Sequence, residues 1–151
     1  KRKKNGGDYM KINEFRGDYY FLSNFFSMPV TYEGITYRNN EAAFQAMKCK
    51  DITKRIEFSD LSASAAKKKG RRVELREDWE EVKNHIMYEI VKAKFVQSSL
   101  LREMLLETGD KYLEEGNSWG DRYWGTVNGV GDNMLGKILM QVRDELRRGY
   151  F

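Results

Sequence analysis

The chain has 151 residues, 40% hydrophobic and 33% charged, a length and balance that suit one domain with a buried core and exclude a disordered or membrane-embedded polymer. Cys49 is the only cysteine and His85 the only histidine, so disulfides within the chain, Cys/His zinc sites and Ser-His-Asp triads are excluded by count. The formal charge of +4 equals the contribution of Lys1, Arg2, Lys3 and Lys4, which leaves a body near neutrality and argues against polyanion binding as the main role.

In chain order, residues 1–8 read as a flexible basic tail and residues 9–151 as a single domain. Pro29–Tyr32 and Ile35–Arg38 are short β-rich runs around Glu33-Gly34, which predicts a hairpin with a tight turn. Asn39 or Asn40 then caps a short helix over Glu41–Lys50, with Phe44 and Met47 on one face and Glu41, Gln45 and Lys48 on another. Ser62 or Ser64 opens a helix through Ala65 and Ala66 to Lys67-Lys68-Lys69, with Gly70 as its stop.

Asp78 and Glu81 form a variant capping box for a helix that carries Val82, Ile86, Ile90 and Ala93 at helical spacing. A further helix opens at Ser98 or Ser99, turns Leu101, Met104 and Leu105 inward and closes at Gly109. Leu135, Ile138, Leu139, Val142 and Leu146 mark a terminal helix. Between these two, Gly116 to Gly131 has no helical period, and a loop of that length in a compact domain is usually functional. The fold class is α+β, mostly helical, with a small β-hairpin or sheet. No apolar run approaches the roughly 18 residues of a membrane span and no signal peptide is present, so a cytoplasmic protein without membrane contact is expected.

Chemistry falls to carboxylates, lysine and hydroxyl groups, with Trp and Arg to bind, or to a carboxylate-held metal. Glu41 in a first helical turn feels the positive helix end, which suits a base, a nucleophile or a stabiliser of positive charge; the plain alternative is a solvated surface Glu. Trp79, Trp119 and Trp124 lie beside charges or glycines and can sandwich an aromatic ring, or else seal the core. Asp121 between two tryptophans sits where an unusual acidity is expected. Arg71 and Arg76 are candidate phosphate ligands, whereas the three lysines before them decorate a helix end. The glycines near Gly129 and Gly131 spell neither a P-loop nor a dinucleotide fingerprint, but Gly131-Asp132-Asn133 precedes a helix whose amides could hold an anion.

These residues fall in ordered blocks: Tyr20-Phe21-Leu22-Ser23-Asn24-Phe25, Asn40 through Lys48, Gly70-Arg71 through Leu75-Arg76 to Asp78-Trp79, Ala93-Lys94-Phe95, Trp119-Gly120-Asp121 with Trp124-Gly125, and Asn133 through Met140. Together they resemble the NADAR family, named for NAD and ADP-ribose metabolism, and more distantly its riboflavin-intermediate N-glycosidase branch. The resemblance implies a compact, mostly helical domain that hydrolyses N-glycosidic bonds without cofactor or metal. It matches Glu41 to the family's essential glutamate and puts Trp79 and Asp121 in its pocket motifs.

On this reading Glu41, Asp121 and Lys48 are catalytic, and Asn24, Phe25, Gln45, Arg71, Arg76, Trp79, Trp119, Trp124, Gly125 and Asn133 bind substrate. The expected substrate is ADP-ribosylated guanine in a nucleotide or nucleic acid, with a toxin-type ADP-ribosyltransferase as functional counterpart. A phosphoribosylamine of riboflavin synthesis is the alternative, and a module that binds ADP-ribose without cleaving it is a third. Lys48 has a second role open to it, attack on a ring-opened imine if its pKa is lowered.

Overall fold

A computed structural model describes residues 11–151; the basic tail expected over residues 1–8 lies outside the described residues. The elements in order are β1 (Lys11–Ile12), a 3-10 helix (Gly17–Leu22), β2 (Ser27–Tyr32), β3 (Ile35–Asn39), α1 (Asn40–Ala46), α2 (Ile52–Ile56), α3 (Ala63–Gly70), α4 (Trp79–Gln97), α5 (Ser99–Glu107), β4 (Tyr112–Leu113) and α6 (Met134–Arg147). Helix dominates and the strands are few, as the α+β reading expects. The chain divides into two compact units, one of Asn24–Ser98 and one that joins the residues up to Ser23 with Ser99–Phe151.

In the unit of Asn24–Ser98, β2 and β3 form the expected antiparallel hairpin, with Val30 opposite Tyr37 and Tyr32 opposite Ile35. Its turn places Glu33 at φ 48° and Gly34 at φ 85°. Two successive left-handed residues twist with the strands, and glycine tolerates the second without strain. α1 follows at once, capped by the Asn39 side chain, which accepts from the Ala42 N–H at 2.7 Å; such a cap contributes about 1 kcal/mol.

The helix ends at Ala46, shorter than the reach to Lys50 expected from propensity. Ala42, Ala43 and Ala46 have no exposed surface, and their small side chains let α3, α4 and β3 close around α1. Every residue of α1 is buried. The polar face that carries Glu41 and Gln45 is therefore interior as well, which disposes of a solvated Glu41.

Ser62 caps α3 through Ala65, and Gly70 is its last residue rather than a stop beyond it. Asp78 does precede α4 but makes no side-chain cap bond; its carboxylate is taken by Arg76 at 2.7 Å, a charge-assisted pair that outcompetes a neutral amide. The five-residue α2 has no buried residue and so left no apolar period to read.

In the other unit, Leu135, Ile138, Leu139, Val142 and Leu146 are buried along one face of α6 and Leu101 and Leu105 along α5. Two-residue strands β1 and β4 pair in parallel, Ile12 opposite Leu113. Strands this short carry no alternation that a sequence pattern could reveal.

Candidate functional site

Residues of the Asn24–Ser98 unit that sequence singled out converge on α1. The Glu41 N–H, one of the helix's unpaired first-turn donors, donates to the Asn24 carbonyl at 3.0 Å. The Asn24 side chain is turned away from that contact and donates to the Met87 thioether at 3.4 Å. One turn on, Gln45 Nε2 donates to Glu41 Oε2 at 2.7 Å, with Glu41 8% and Gln45 6% exposed. Buried carboxylates are costly unless hydrogen-bonded, and this amide supplies such a bond.

Lys48 follows on the half-buried edge of this row, its Nζ 3.4 Å from the Gly70 carbonyl oxygen. Its pKa is lowered chiefly by burial; the Glu41 charge raises it and the Arg71 charge lowers it further. The opposing signs of Glu41 and Arg71 at one amine place all three in one electrostatic neighbourhood. Arg71 itself is exposed. Phe25 is half-buried beneath Lys67, whose Nζ stands 5.8 Å from the ring centroid. Lys67, set aside in the sequence as helix-end decoration, thus stands over a residue assigned to substrate; nothing in a Lys-Lys-Lys run marks which of the three does so.

Two expected ligands of this unit are committed elsewhere. Trp79 is 6% exposed and packs tilted on Phe44, centroids 5.0 Å apart, so its ring is core. Arg76 donates Nε and Nη2 to Asp78 and Nη1 to the Met47 carbonyl at 3.2 Å, and pairing with Asp78 raises its pKa. A cavity of about 700 Å³ lies beyond the end of α1, walled by residues such as Cys49, Lys54, Phe58, Arg72 and Arg76, and Glu41, Gln45 and Lys48 do not line it.

In the other unit, the Gly116–Gly131 segment is a tightly bonded loop. Asp121 Oδ1 accepts from the N–H groups of Tyr123 and Trp124 at 3.0 and 2.9 Å, which fixes a local turn of the kind short Asp side chains make. Trp124 is half-buried and meets Tyr123 edge to face at 4.9 Å, whereas Trp119 is 57% exposed. Gly125 is buried, and its site leaves no room for a side chain, since a Cβ there would collide with the Glu115 carbonyl oxygen.

Asn133 acts as a staple: its Oδ1 accepts from the Glu115 N–H at 2.9 Å and its Nδ2 donates to the Leu113 carbonyl at 2.9 Å. The anion site expected ahead of α6 is not formed. The N–H groups of Asp132, Asn133, Met134 and Leu135 donate to the carbonyls of Arg122, Gly125, Tyr123 and Trp124 in that order, so the loop itself caps the helix.

Among the described residues no group of three or more His, Cys, Asp or Glu side chains is placed to hold a metal ion, and no helix is long and apolar enough to cross a membrane.

The NADAR domain model matches residues 11–147. The chain belongs to the NADAR family. It is 38% identical over 133 residues to N-glycosidase YbiA of Shigella boydii, a match covering 85% of this chain and 82% of that protein. It is 35% identical over 131 residues to the riboflavin biosynthesis protein VVA0006 of Vibrio vulnificus, 84% of this chain but 35% of that one. The NMR structure of the E. coli protein YbiA superposes with a TM-score of 0.80 at 36% identity, over 92% of this chain and 84% of that one. The NADAR match spans both compact units, and the resemblance drawn from the motifs stands.

Proposed function

We propose that this protein is an N-glycosidase that hydrolyses the bond between ribose C1 and an exocyclic amine of a base, with Glu41 as the charge-stabilising carboxylate. The single observation that carries the reading is the buried Glu41 carboxylate oriented by Gln45 at 2.7 Å. Two relatives named N-glycosidase or riboflavin biosynthesis protein, each matched over more than four-fifths of this chain, support the reaction class.

As the C1–N bond breaks, its electron pair leaves with the amine nitrogen and positive charge develops at C1 and the ring oxygen. A fixed carboxylate stabilises that charge by several kcal/mol, about what pre-oriented electrostatic groups contribute elsewhere. Water then adds to C1 and the proton it loses passes, directly or by way of the carboxylate, to the departing nitrogen, so that a ribosyl hydroxyl and a free amine result. Lys48 offers a second route: as a neutral amine it adds to C1 of the ring-opened imine and expels the base, and water releases the sugar.

For the substrate we assign ADP-ribose linked to the amino group of guanine. Its two phosphates would draw on Lys67 and Arg71 together, one turn apart at the end of α3. A phosphoribosylamino-pyrimidine is the second reading, favoured by the name of the Vibrio vulnificus relative. Initial rates on ADP-ribosyl-guanosine and on the pyrimidine, at matched low concentration, separate the two because their ratio reports relative transition-state binding. Glu41→Gln tests the reaction class. It should fold and lose more than tenfold in kcat, about 1.4 kcal/mol, and a variant within tenfold of the parent would remove Glu41 from the mechanism.

A further inference from the structure

Gln45 is hydrogen-bonded to the Glu41 carboxylate, and the way its amide is held is unusual. Its Nε2 donates to Glu41 Oε2 at 2.7 Å, while its Oε1 is buried with no hydrogen-bond partner among the described residues. That oxygen lies against the α-carbon of Gly70: a Cβ built there would stand 1.9 Å from Oε1 and 2.7 Å from Cδ. Both atoms belong to the planar amide, so a side chain on residue 70 would displace the whole group.

Leaving a buried acceptor unmet is unfavourable. The amide nonetheless cannot gain by turning over, since its oxygen would then face the carboxylate, an acceptor against an acceptor. The orientation is fixed by Glu41 being an acceptor on one side and by Gly70 being small on the other. Gly70 terminates α3, which packs on α1, so its missing side chain is a feature of the α1–α3 contact and not of a turn.

Building on the function proposed above, we infer that Gln45 is a positioning residue for Glu41 and that Gly70 is the size-determining residue that makes room for it. Gln45 then acts through the carboxylate and does not grip the substrate. A carboxylate displaced by an ångström loses most of its advantage as a fixed charge, and the loss falls on the chemical step rather than on substrate binding.

The test compares Gln45→Met, which keeps length and shape without a donor, with Gly70→Ala and with Gly70→Ala in a Gln45→Ala background. ADP-ribosyl-guanosine and a phosphoribosylamino-pyrimidine serve as the assayed substrates. Expected for Gln45→Met and for Gly70→Ala is a fall in kcat of about tenfold or more with KM within about twofold. Gly70→Ala should cost little beyond Gln45→Ala alone, because the amide it would strike is gone. A raised KM at unchanged kcat would make Gln45 a substrate ligand, and a lowered unfolding midpoint at unchanged kcat would make it packing; either overturns the inference.

A second measurement needs no turnover. The side-chain amide resonances of Gln45 should move in Glu41→Gln, where a neutral acceptor replaces a charged one, and again in Gly70→Ala. Resonances unmoved by both would overturn the inference even if the enzyme proves active. If neither substrate is hydrolysed by the parent protein, the reaction class fails while these resonances still decide whether Gln45 and Gly70 hold Glu41.

Discussion

Arg76 grips Asp78 with one edge of its guanidinium, Nε to Oδ1 at 2.7 Å and Nη2 to Oδ2 at 3.2 Å, while Nη1 reaches the Met47 carbonyl and the Arg76 backbone N–H donates to the Lys48 carbonyl at 3.0 Å. One residue therefore ties the start of α4 to the end of α1, next to Lys48. Arg76→Ala should lower the unfolding midpoint and leave KM for a phosphate-bearing substrate within about twofold, the mark of a structural ligand. Lysine is an incomplete replacement, since a point charge cannot make the two-pronged contact. A KM that rises while the midpoint stays put would return Arg76 to the phosphate.

Trp79 and Trp119 are expected to part company under the same substitution. Trp79 is buried on Phe44, so Trp79→Ala should cost about 3–5 kcal/mol of stability, as emptying a core aromatic site does. Trp119 is 57% exposed, so Trp119→Ala should leave the midpoint unchanged; if its ring stacks on a base, affinity falls by about 1–3 kcal/mol. Denaturant unfolding and a fluorescence titration with ADP-ribosyl-guanosine measure the two. Equal destabilisation by both substitutions would contradict the assignment of core to one and surface to the other.

How far the sequence revealed this arrangement follows from where each signal originates. The hairpin was legible because Glu33-Gly34 separates two β-rich runs, and α6 because its five apolar residues keep helical period. Glu41 and Gln45 were placed on one face by spacing alone, but spacing gives no burial. That both are interior depends on Ala42, Ala43 and Ala46 admitting α3 and α4, a packing event between distant segments. For the same reason Gly70 reads as a helix stop in isolation, whereas its neighbour is a Gln 25 positions earlier. Asp121, Gly125 and Asn133 were singled out as site residues, and the structure shows them holding a self-capping loop. Local composition marks such residues without saying whether they serve the backbone or a ligand.

Lys94 gives the protein a pH dependence whose sign follows from its burial. It is 2% exposed, its Nζ lies 5.6 Å from the Phe26 centroid and 5.2 Å from that of Phe95, and burial lowers its pKa from the ordinary 10.5 to about 7. Between those two values the unfolded chain carries a proton that the folded chain lacks, so stability rises with pH across that window. Below the lower value both states are protonated and the burial penalty is paid in full. Unfolding midpoints in urea at pH 6, 8 and 10 should climb for the parent and climb less for Lys94→Met. Parallel curves for the two proteins would show that the ammonium is accommodated by the Phe26 and Phe95 rings beside it.

Lys48 is the residue on which the two chemical routes divide. Its amine is pushed toward neutrality by burial and by Arg71 and held back by Glu41. A nucleophilic Lys48 must be unprotonated, so the rate should rise with pH through its pKa and level off above it. Removing the Arg71 charge takes away one of the influences that lower the pKa, so Arg71→Gln should move that rising limb to higher pH. The Glu41→Gln exchange removes the opposing influence and moves the same pKa down, though the activity left to follow it will be small. Borohydride added during turnover would reduce an imine to a stable secondary amine at Lys48, detectable as a sugar-phosphate mass on the peptide that contains it. With Lys48→Met as the control, a limb that ignores Arg71 together with an unmodified peptide would leave hydrolysis to Glu41 and water, and would make Lys48 a neighbour of the chemistry rather than a participant in it.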